Sequence, residues 1–310
     1  MIDTPDISAV ITTFNRRELV IGAVRSVLAQ TRTVGQLIIV DDGSNDGTEA
    51  ALAREFSGRI EYVWQENRGV SSARNRGLAL ARGRYLCLLD SDDRWHPDKS
   101  RLQMDWLEDR PDYGMVLCDV IRVDAQEHQI DILPRRAAIP EDGEVLQWVM
   151  RDPALVPSSI MLRREVVESI GGFDTNLATA EDLDFHLRVA RSWKIGVIEQ
   201  PLATARRGHD GLSASLGTYS DYVQVFERFA TTVSERLTVA QIGTALSSAY
   251  RRSARGLVLE GRWQEAFRYA SQALTHAPTL GEKLRTLGLA PPAARRCLSA
   301  LKRSWKSRPA

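Results

Sequence analysis

Two carboxylates stand at alternate positions directly after an apolar run in the first third of the chain. Residues 86–89 read LCLL, and Asp90, Ser91 and Asp92 follow them. Carboxylates in this position can hold a hard divalent cation, Mg²⁺ or Mn²⁺, between the protein and the oxygens of a diphosphate. The same pattern also caps helices or faces water, and for an isolated Asp-x-Asp that plain interpretation is the commoner one.

A second acidic pair, Glu181 and Asp182, opens a helical pattern after the turn at residues 171–174. A carboxylate there can act as a general base. Acidic residues also favour the first turn of a helix, where they complement the helix dipole, and spacing alone favours that capping role. The remainder of the sequence must decide between the two interpretations.

Asp41 follows another apolar run, residues 37–40. It fits two roles equally well: an acceptor for the imide N–H of a uracil-like base, or a turn residue of the segment DDGS. Asp46 and Glu49 form a helix-capping pair, so we assign Asp46 a structural role.

These polar positions fall at the ends of predicted strands. Short β-rich runs alternate with helical patterns from residue 7 to residue 90, which predicts repeated βα units. Residues 37–40 and 86–89 have no polar face, as expected for parallel strands covered by helices on both sides. The sequence therefore predicts an α/β fold with a doubly wound, mostly parallel sheet that binds ligands beyond the carboxyl ends of its strands.

Beyond His209 the strand pattern ends and helical patterns take over. Residues 253–278 have the apolar residues of a helical hairpin, with Gly261 at its turn and Pro278 at its end. One hairpin cannot bury its apolar face alone, so we expect it to pack on the preceding domain rather than to form a repeat array. We predict an α/β domain at 1–215 and an α-helical region at 216–310.

The composition gives no sign of nucleic acid as a partner. The net charge is +1, and 43% apolar with 26% charged residues is typical of a soluble globular protein. Cys87, Cys118 and Cys297 are odd in number and widely spaced, which favours reduced thiols and a cytoplasmic location. Neither a secretory pattern nor an apolar run near the roughly 20 residues of a membrane span occurs, so we expect no membrane-spanning helix.

The final stretch of the chain is strongly basic and has no acidic residue. Its interleaved Leu298, Leu301 and Trp305 predict a basic amphipathic helix. Such a helix can lie on an anionic membrane surface, here the inner face of the plasma membrane, or it can be a solvated tail. The basic residues are Arg295, Arg296, Lys302, Arg303, Lys306 and Arg308.

Four segments taken together resemble, in order and approximate spacing, the family 2 glycosyltransferases of GT-A-type fold. They are VITTFNR, VDDGSNDGT, ENRGVSSARNRGLALARGRYLCLLDSDD and GGFDTNLATAEDLDFHLR. The resemblance covers about residues 7–213. It implies a nucleotide-sugar donor and a divalent cation, Mg²⁺ or Mn²⁺, as cofactor.

The resemblance also implies where the donor lies. Thr12, Phe14 and Asp41 would lie against the nucleoside, with uridine as the first expectation and thymidine or guanosine still open. Arg74 would face the base or the phosphates, and it is otherwise a solvated helix arginine.

The resemblance also implies a separate role for each aspartate of the acidic cluster after residue 89. Asp90 would reach the ribose, Asp92 would bind the metal, and Asp93 would orient its neighbours.

For the second acidic pair the resemblance reverses the capping interpretation, since Asp182 matches the position of the catalytic base. Glu181 and Asp184 would fix its orientation or contact the acceptor. Asp182 would take a proton from an acceptor hydroxyl during attack opposite the leaving nucleotide, which inverts the anomeric centre.

A further segment, RRGHDGLSAS, is similar to the family's arginine, histidine and serine run over the diphosphate. His209 would touch the metal or the diphosphate, although a lone histidine is as often structural. Arg206 or Arg207 would donate to phosphate, and Ser213 would donate another hydrogen bond.

We therefore expect an inverting glycosyltransferase of surface-polysaccharide synthesis, which uses a UDP-sugar or related donor and a glycan or lipid-linked acceptor. The alternatives are a sugar-phosphate nucleotidyltransferase and a non-catalytic scaffold with a vestigial donor site. The segment ITTFNRRE lacks the Gly-rich phosphate loop of the former. The absence of a Gly-x-Gly-x-x-Gly after the first strand argues against a dinucleotide dehydrogenase.

Overall fold

Four parallel strands form one half of the sheet. They are β1 (Ile7–Thr13), β2 (Gln36–Asp41), β3 (Glu61–Trp64) and β4 (Tyr85–Asp90). In the computed structural model, which describes residues 6–133, 139–151, 156–207 and 218–287, they lie in the order β3-β2-β1-β4. The register places Thr12 beside Asp90 and Thr13 beside Asp41, so the polar strand ends meet at one edge of the sheet.

Three amphipathic helices connect these strands. They are α1 (Arg17–Leu28), α2 (Thr48–Phe56) and α3 (Val70–Leu80). In α1 the buried side chains recur at the spacing of one helical face, as at Val20, Val24 and Val27. In α3 the close approach to β1 occurs at Gly77, where an added Cβ would lie 2.2 Å from Val10 Cγ1. This glycine lets the helix lie directly on the central strand.

The second half of the sheet mixes strand directions. β8 pairs antiparallel with β4 and with β6, whereas β6 and β9 are parallel. β5 and β7 add short antiparallel pairs to β9 and β6. The strands of this half are β5 (Arg94–Trp95), β6 (Tyr113–Val123), β7 (Gln129–Ile132), β8 (Met161–Arg163) and β9 (Lys194–Arg206).

Helices flank this half of the sheet as well. The predicted α/β fold with a mostly parallel sheet is therefore confirmed. The sequence did not predict β5, β7 or α5, because elements this short carry no readable hydrophobic period. The helices are α4 (Lys99–Glu108), α5 (Leu146–Arg151), α6 (Arg164–Ile170) and α7 (Glu181–Ser192), with a 3-10 turn at Pro157–Ser159.

A buried lysine fixes the 3-10 turn beneath the end of β4. Lys99 is 0% exposed, and its Nζ donates to Gln103 Oε1 at 2.6 Å and to Ile160 O at 3.1 Å. The same nitrogen lies 4.2 Å from the centroid of the Trp95 ring, whose Nε1 donates to Ser158 O. Burial lowers the pKa of Lys99, and these contacts replace the water that its ammonium group has lost.

The chain divides into two compact units, 1–214 and 215–310. The described part of the second unit consists of α8 (Thr218–Ala230), α9 (Val239–Leu259), α10 (Trp263–His276) and α11 (Leu280–Leu287). α9 and α10 form the predicted helical hairpin, with Gly261 at its turn in a left-handed conformation (φ 76°). Among the described residues, no helix is long and apolar enough to cross a membrane. The basic segment at 295–308 lies outside the described residues.

The close packing of α3 on β1 can be tested with Gly77→Ala. We expect the free energy of unfolding to fall by about 1 to 3 kcal/mol, because the added methyl overpacks a rigid core. Gly281→Ala in α11 is a matched control, since the nearest heavy atom to its added Cβ is 3.9 Å away. Urea titration checks both variants, and equal stability of Gly77→Ala and the parent would contradict the close-packing argument.

Candidate active site

A buried arginine joins the end of β4 to the start of α7. Arg74 Nη2 donates to Asp90 Oδ1 at 2.8 Å, and Arg74 Nη1 donates to Glu181 Oε1 at 2.6 Å. The guanidinium also lies 5.2 Å from the centroid of the Phe173 ring. Burial opposes its charge, but the two carboxylates outweigh burial and raise the pKa of Arg74. The structure thus brings together three residues that the sequence placed far apart.

The residue after Arg74 braces the same junction. Asn75 Nδ2 donates to Phe173 O at 2.8 Å, and Phe173 N donates back to Asn75 Oδ1 at 2.6 Å. From the other side, Arg188 donates to Gly172 O at 2.7 Å and to Asp184 Oδ2 at 2.8 Å. The turn before α7 is therefore held by α3 and by α7 itself. Asp184 takes part through Arg188, and its expected support of Asp182 stays a prediction.

Asp182 stands in the first turn of α7, next to this cluster. Its Oδ1 accepts a hydrogen bond from Leu183 N at 2.7 Å. Burial raises the pKa of Asp182 to about 7, and the neighbouring Glu181 adds to this effect, whereas Arg74 opposes it. The residue as a whole is partly exposed. A carboxylate of this pKa can accept a proton near neutral pH, as a general base must.

The residue before this helix is held in an unusual conformation. Ala180 adopts a left-handed conformation with φ 59°, which side chains other than glycine seldom take. Strain of this kind persists where the surrounding structure fixes the chain, here between the Phe173 turn and α7. The geometry orients the first turn of α7 toward the end of β4.

Each carboxylate oxygen of Asp41, at the end of β2, accepts a hydrogen bond from within the domain. Asp41 is 0% exposed, and its oxygens accept from Ser44 N and from Tyr62 Oη, each at 2.8 Å. Burial and Asp41 raise the pKa of Tyr62, so its hydroxyl keeps its proton. These contacts give Asp41 a turn role, and its contact with a base stays a prediction. Beside it, Phe14 is 46% exposed at the end of β1, whereas Thr12 is buried.

Asp42, which the sequence did not single out, holds the loop that leads into α3. Its carboxylate accepts hydrogen bonds from Gln65 Nε2 at 2.7 Å, from Arg68 N at 3.0 Å and from Gly69 N at 2.8 Å. This loop precedes the helix that carries Arg74. The two consecutive aspartates at the strand end could have indicated this role. Consecutive side chains point to opposite sides, so Asp41 and Asp42 cannot both serve the same site.

The carboxylates after β4 have separate environments. Asp92 Oδ2 accepts a hydrogen bond from Arg16 Nη1 at 2.8 Å. Asp93 is buried and accepts from Ser158 Oγ at 2.6 Å and from Arg206 N at 3.2 Å. Burial, with Asp90 and Asp92 close by, raises the pKa of Asp93 well above its usual range. Ser158 Oγ also accepts from the backbone N–H of Asp90 at 3.1 Å, so one serine braces both ends of the turn.

The chemistry of this turn fits a divalent cation. Asp92 already directs a mostly buried carboxylate oxygen at a positive charge. Among the described residues, no three acidic, histidine or cysteine side chains converge as a metal cluster. Magnesium sites commonly combine one or two protein carboxylates with substrate phosphates and water. Asp92 could therefore hold an ion only together with a bound diphosphate, and its metal role stays a prediction.

The segment after β9 is only partly described. Arg206 donates to Ala125 O, and its Nη1 lies 3.8 Å from Glu127 Oε1, so its side chain is directed at the turn between β6 and β7. Arg207 is exposed. The predicted His209 and Ser213 lie outside the described residues, and their roles stay predictions.

The Arg74 cluster can be tested with Arg74→Met. We expect the free energy of unfolding to fall by about 3 kcal/mol. The change leaves the carboxylates of Asp90 and Glu181 without the positive charge that compensates them. Arg82→Met is the matched control, since Arg82 is 55% exposed in its ion pair with Glu61 and its loss should change stability by less than about 0.5 kcal/mol. Chemical denaturation checks both, and equal losses would refute the bridging role.

Several curated proteins are similar to parts of this chain. A teichuronic acid biosynthesis glycosyltransferase TuaG, described as putative, from Bacillus subtilis is 39% identical over 109 residues, which are 34% of this chain and 43% of that protein. The succinoglycan biosynthesis protein ExoO of Rhizobium meliloti is 29% identical over 52% of this chain and 44% of its own length. The amylovoran biosynthesis glycosyltransferase AmsB of Erwinia amylovora is 29% identical over 63% of this chain and 68% of its own length. The chain thus spans less than half of the first two relatives.

Solved structures share the fold. S. aureus TarS 1–349 in complex with UDP-GlcNAc has a TM-score of 0.69 at 17% identity, covering 92% of this chain and 84% of that one. The mannosyltransferase PcManGT of Pyrobaculum calidifontis, in complex with GDP-Man and Mn²⁺, has a TM-score of 0.56 at 18% identity, covering 99% and 89%. The sequence profile described as glycosyl transferase family 2 matches residues 8–171. With that match and the GT-A-type fold, the chain belongs to the family 2 glycosyltransferases.

Proposed function

We propose that this chain is a metal-dependent, inverting glycosyltransferase of surface-polysaccharide synthesis. It moves a sugar from a nucleoside diphosphate, first of all UDP, to a hydroxyl of a glycan or lipid-linked acceptor. The observation that carries the proposal is the position of Asp182: a carboxylate with a pKa of about 7 beside the ionic cluster that ends at Asp90. The relatives named for teichuronic acid, succinoglycan and amylovoran synthesis support the polysaccharide assignment.

Asp182 acts as the general base in this proposal. Its carboxylate takes the proton of the acceptor hydroxyl while that oxygen bonds to the anomeric carbon from the face opposite the phosphate. The bond from the anomeric carbon to the phosphate oxygen breaks, and the nucleoside diphosphate leaves with the bonding electrons. One displacement inverts the anomeric centre, so no sugar is bonded to the enzyme at any stage.

The donor lies along the carboxyl ends of β1, β2 and β4 in this proposal. Thr12, Phe14 and Asp41 contact the nucleoside, and Asp90 contacts the ribose. The half-exposed Phe14 ring supports this, because an aromatic face is available for a base at the strand end. Arg74 holds Asp90 and Glu181 in place.

The diphosphate lies near the acidic turn after β4. Asp92 holds the divalent cation, with His209 as a second proposed ligand, and Arg207 and Ser213 donate to the phosphates. When bound, the cation neutralises the charge that develops on the leaving diphosphate. The UDP-GlcNAc complex of TarS and the GDP-Man and Mn²⁺ complex of PcManGT support a nucleotide-sugar and metal of this kind.

Donor binding can be tested by thermal shift with a panel of nucleoside diphosphates, with and without Mn²⁺. A ligand that binds only the folded state raises the melting temperature, by about 5 °C or more at about 100 times its Kd. We expect a shift with UDP that requires Mn²⁺, and we expect Asp92→Ala to lose it. Asp105→Ala, on the exposed side of α4, should keep it.

Two results of this panel would overturn the proposal. A stronger shift with a nucleoside triphosphate than with the diphosphate would indicate a nucleotidyltransferase. No shift with any nucleotide would indicate a non-catalytic scaffold.

The base can be tested with Asp182→Asn. We expect turnover to fall by about 10²- to 10⁴-fold while the thermal shift with UDP is kept. In the parent enzyme kcat/KM should rise with pH and level off above about 7, because Asp182 must lose its proton before it can accept another. Asp105→Asn should keep both the rate and the profile. A fully active Asp182→Asn enzyme would remove Asp182 from the chemistry.

A further inference from the structure

Arg16 places a fixed positive charge on the carboxylate that is proposed to bind the metal. Its Nη1 lies 2.8 Å from Asp92 Oδ2, and the two side chains are 27% and 9% exposed. Arg16 lies three residues after the end of β1 and directly precedes α1. Its backbone oxygen accepts the first hydrogen bonds of that helix, from Leu19 N at 3.1 Å and Val20 N at 3.0 Å. Its main chain is thus fixed by the helix while its side chain reaches the acidic turn.

The guanidinium of Arg16 and a divalent cation compete for the same carboxylate oxygen of Asp92. Charge-assisted hydrogen bonds to a carboxylate are strong, and the Asp92 side chain that accepts this one is mostly buried. An ion that arrives at Asp92 must therefore displace the guanidinium or share its charge. In either case the two cations oppose each other's binding.

We propose, resting on the proposed metal role of Asp92, that Arg16 is an internal counter-ion which the divalent cation displaces. In the absence of donor, Arg16 neutralises Asp92 and keeps metal affinity low. In the presence of donor, the released guanidinium lies beside the end of β1 and pairs with the diphosphate. Metal and nucleotide then bind cooperatively. The cation frees Arg16 to pair with the diphosphate, and the diphosphate keeps Arg16 away from Asp92.

The neighbouring Arg17 provides a matched control. It carries the same charge one position later, but its side chain donates to Glu18 Oε1 at 2.9 Å and to the Asp46 backbone oxygen at 3.2 Å. Removal of Arg17 therefore changes the net charge of the protein equally without changing the contact at Asp92. Any difference between the two variants comes from position and not from overall charge.

The test is titration with Mn²⁺, in which electron paramagnetic resonance measures the free ion, with and without UDP. Without UDP, we expect Arg16→Ala to bind Mn²⁺ on the order of tenfold more tightly than the parent, as expected for the loss of one competing charge-assisted contact. UDP should then increase Mn²⁺ affinity less in Arg16→Ala than in the parent. Arg17→Ala should match the parent in both titrations, and Arg16→Lys should fall between Arg16→Ala and the parent.

The controls separate failure of this inference from failure of the proposed function. If Asp92→Ala loses Mn²⁺ binding but Arg16→Ala binds it no more tightly than the parent, the counter-ion role is wrong and the metal role of Asp92 stands. If Asp92→Ala binds Mn²⁺ with UDP as the parent does, both are wrong. Thermal melting of each variant shows that it is folded, and the Lys variant supplies the comparison if the Ala variant is not.

Discussion

The ionic bridge from Arg74 to Asp90 and Glu181 is the constraint on which the rest of the site depends. A buried guanidinium needs compensating charge, and the two carboxylates that supply it come from the end of a central strand and the start of a late helix. The bridge can form only if α7 begins at the carboxyl edge of the sheet. The paired hydrogen bonds of Asn75 with Phe173, and those of Arg188 with the preceding turn, keep it there.

At Asp182, the protonation state that favours folding differs from the one that a general base needs. Because its pKa is raised, the folded protein holds this proton more tightly than the unfolded chain does. The resulting stabilisation is present at low pH and is lost as the pH rises through about 7. The ionised form that is proposed to serve as a base is thus the form that the fold tolerates less well, and Arg74 limits the difference by lowering the pKa of Asp182.

The apolar runs at 37–40 and 86–89 were sufficient to predict the parallel strands, and with them the edge where the polar residues meet. The same reasoning could not predict β8 as an antiparallel strand, since three residues have no period and direction depends on distant partners. The sequence could not predict which side chains form hydrogen bonds with each other either. Ser158 and Arg16 matter because of residues 65 and 76 positions away, and no local pattern marks such partners.

The place of β8 in the sheet has a consequence for the order in which the domain folds. β4 and β6 are made first, yet they are separated by a strand that is synthesised later. Until residues 161–163 leave the ribosome, β4 and β6 each have an unpaired edge that can bind another strand. Only three residues fill the gap, so its closure depends on long-range contacts and is expected to be slow. A nascent chain that stalls before this point leaves the edge of the parallel half of the sheet, at β4, in an aggregation-prone form.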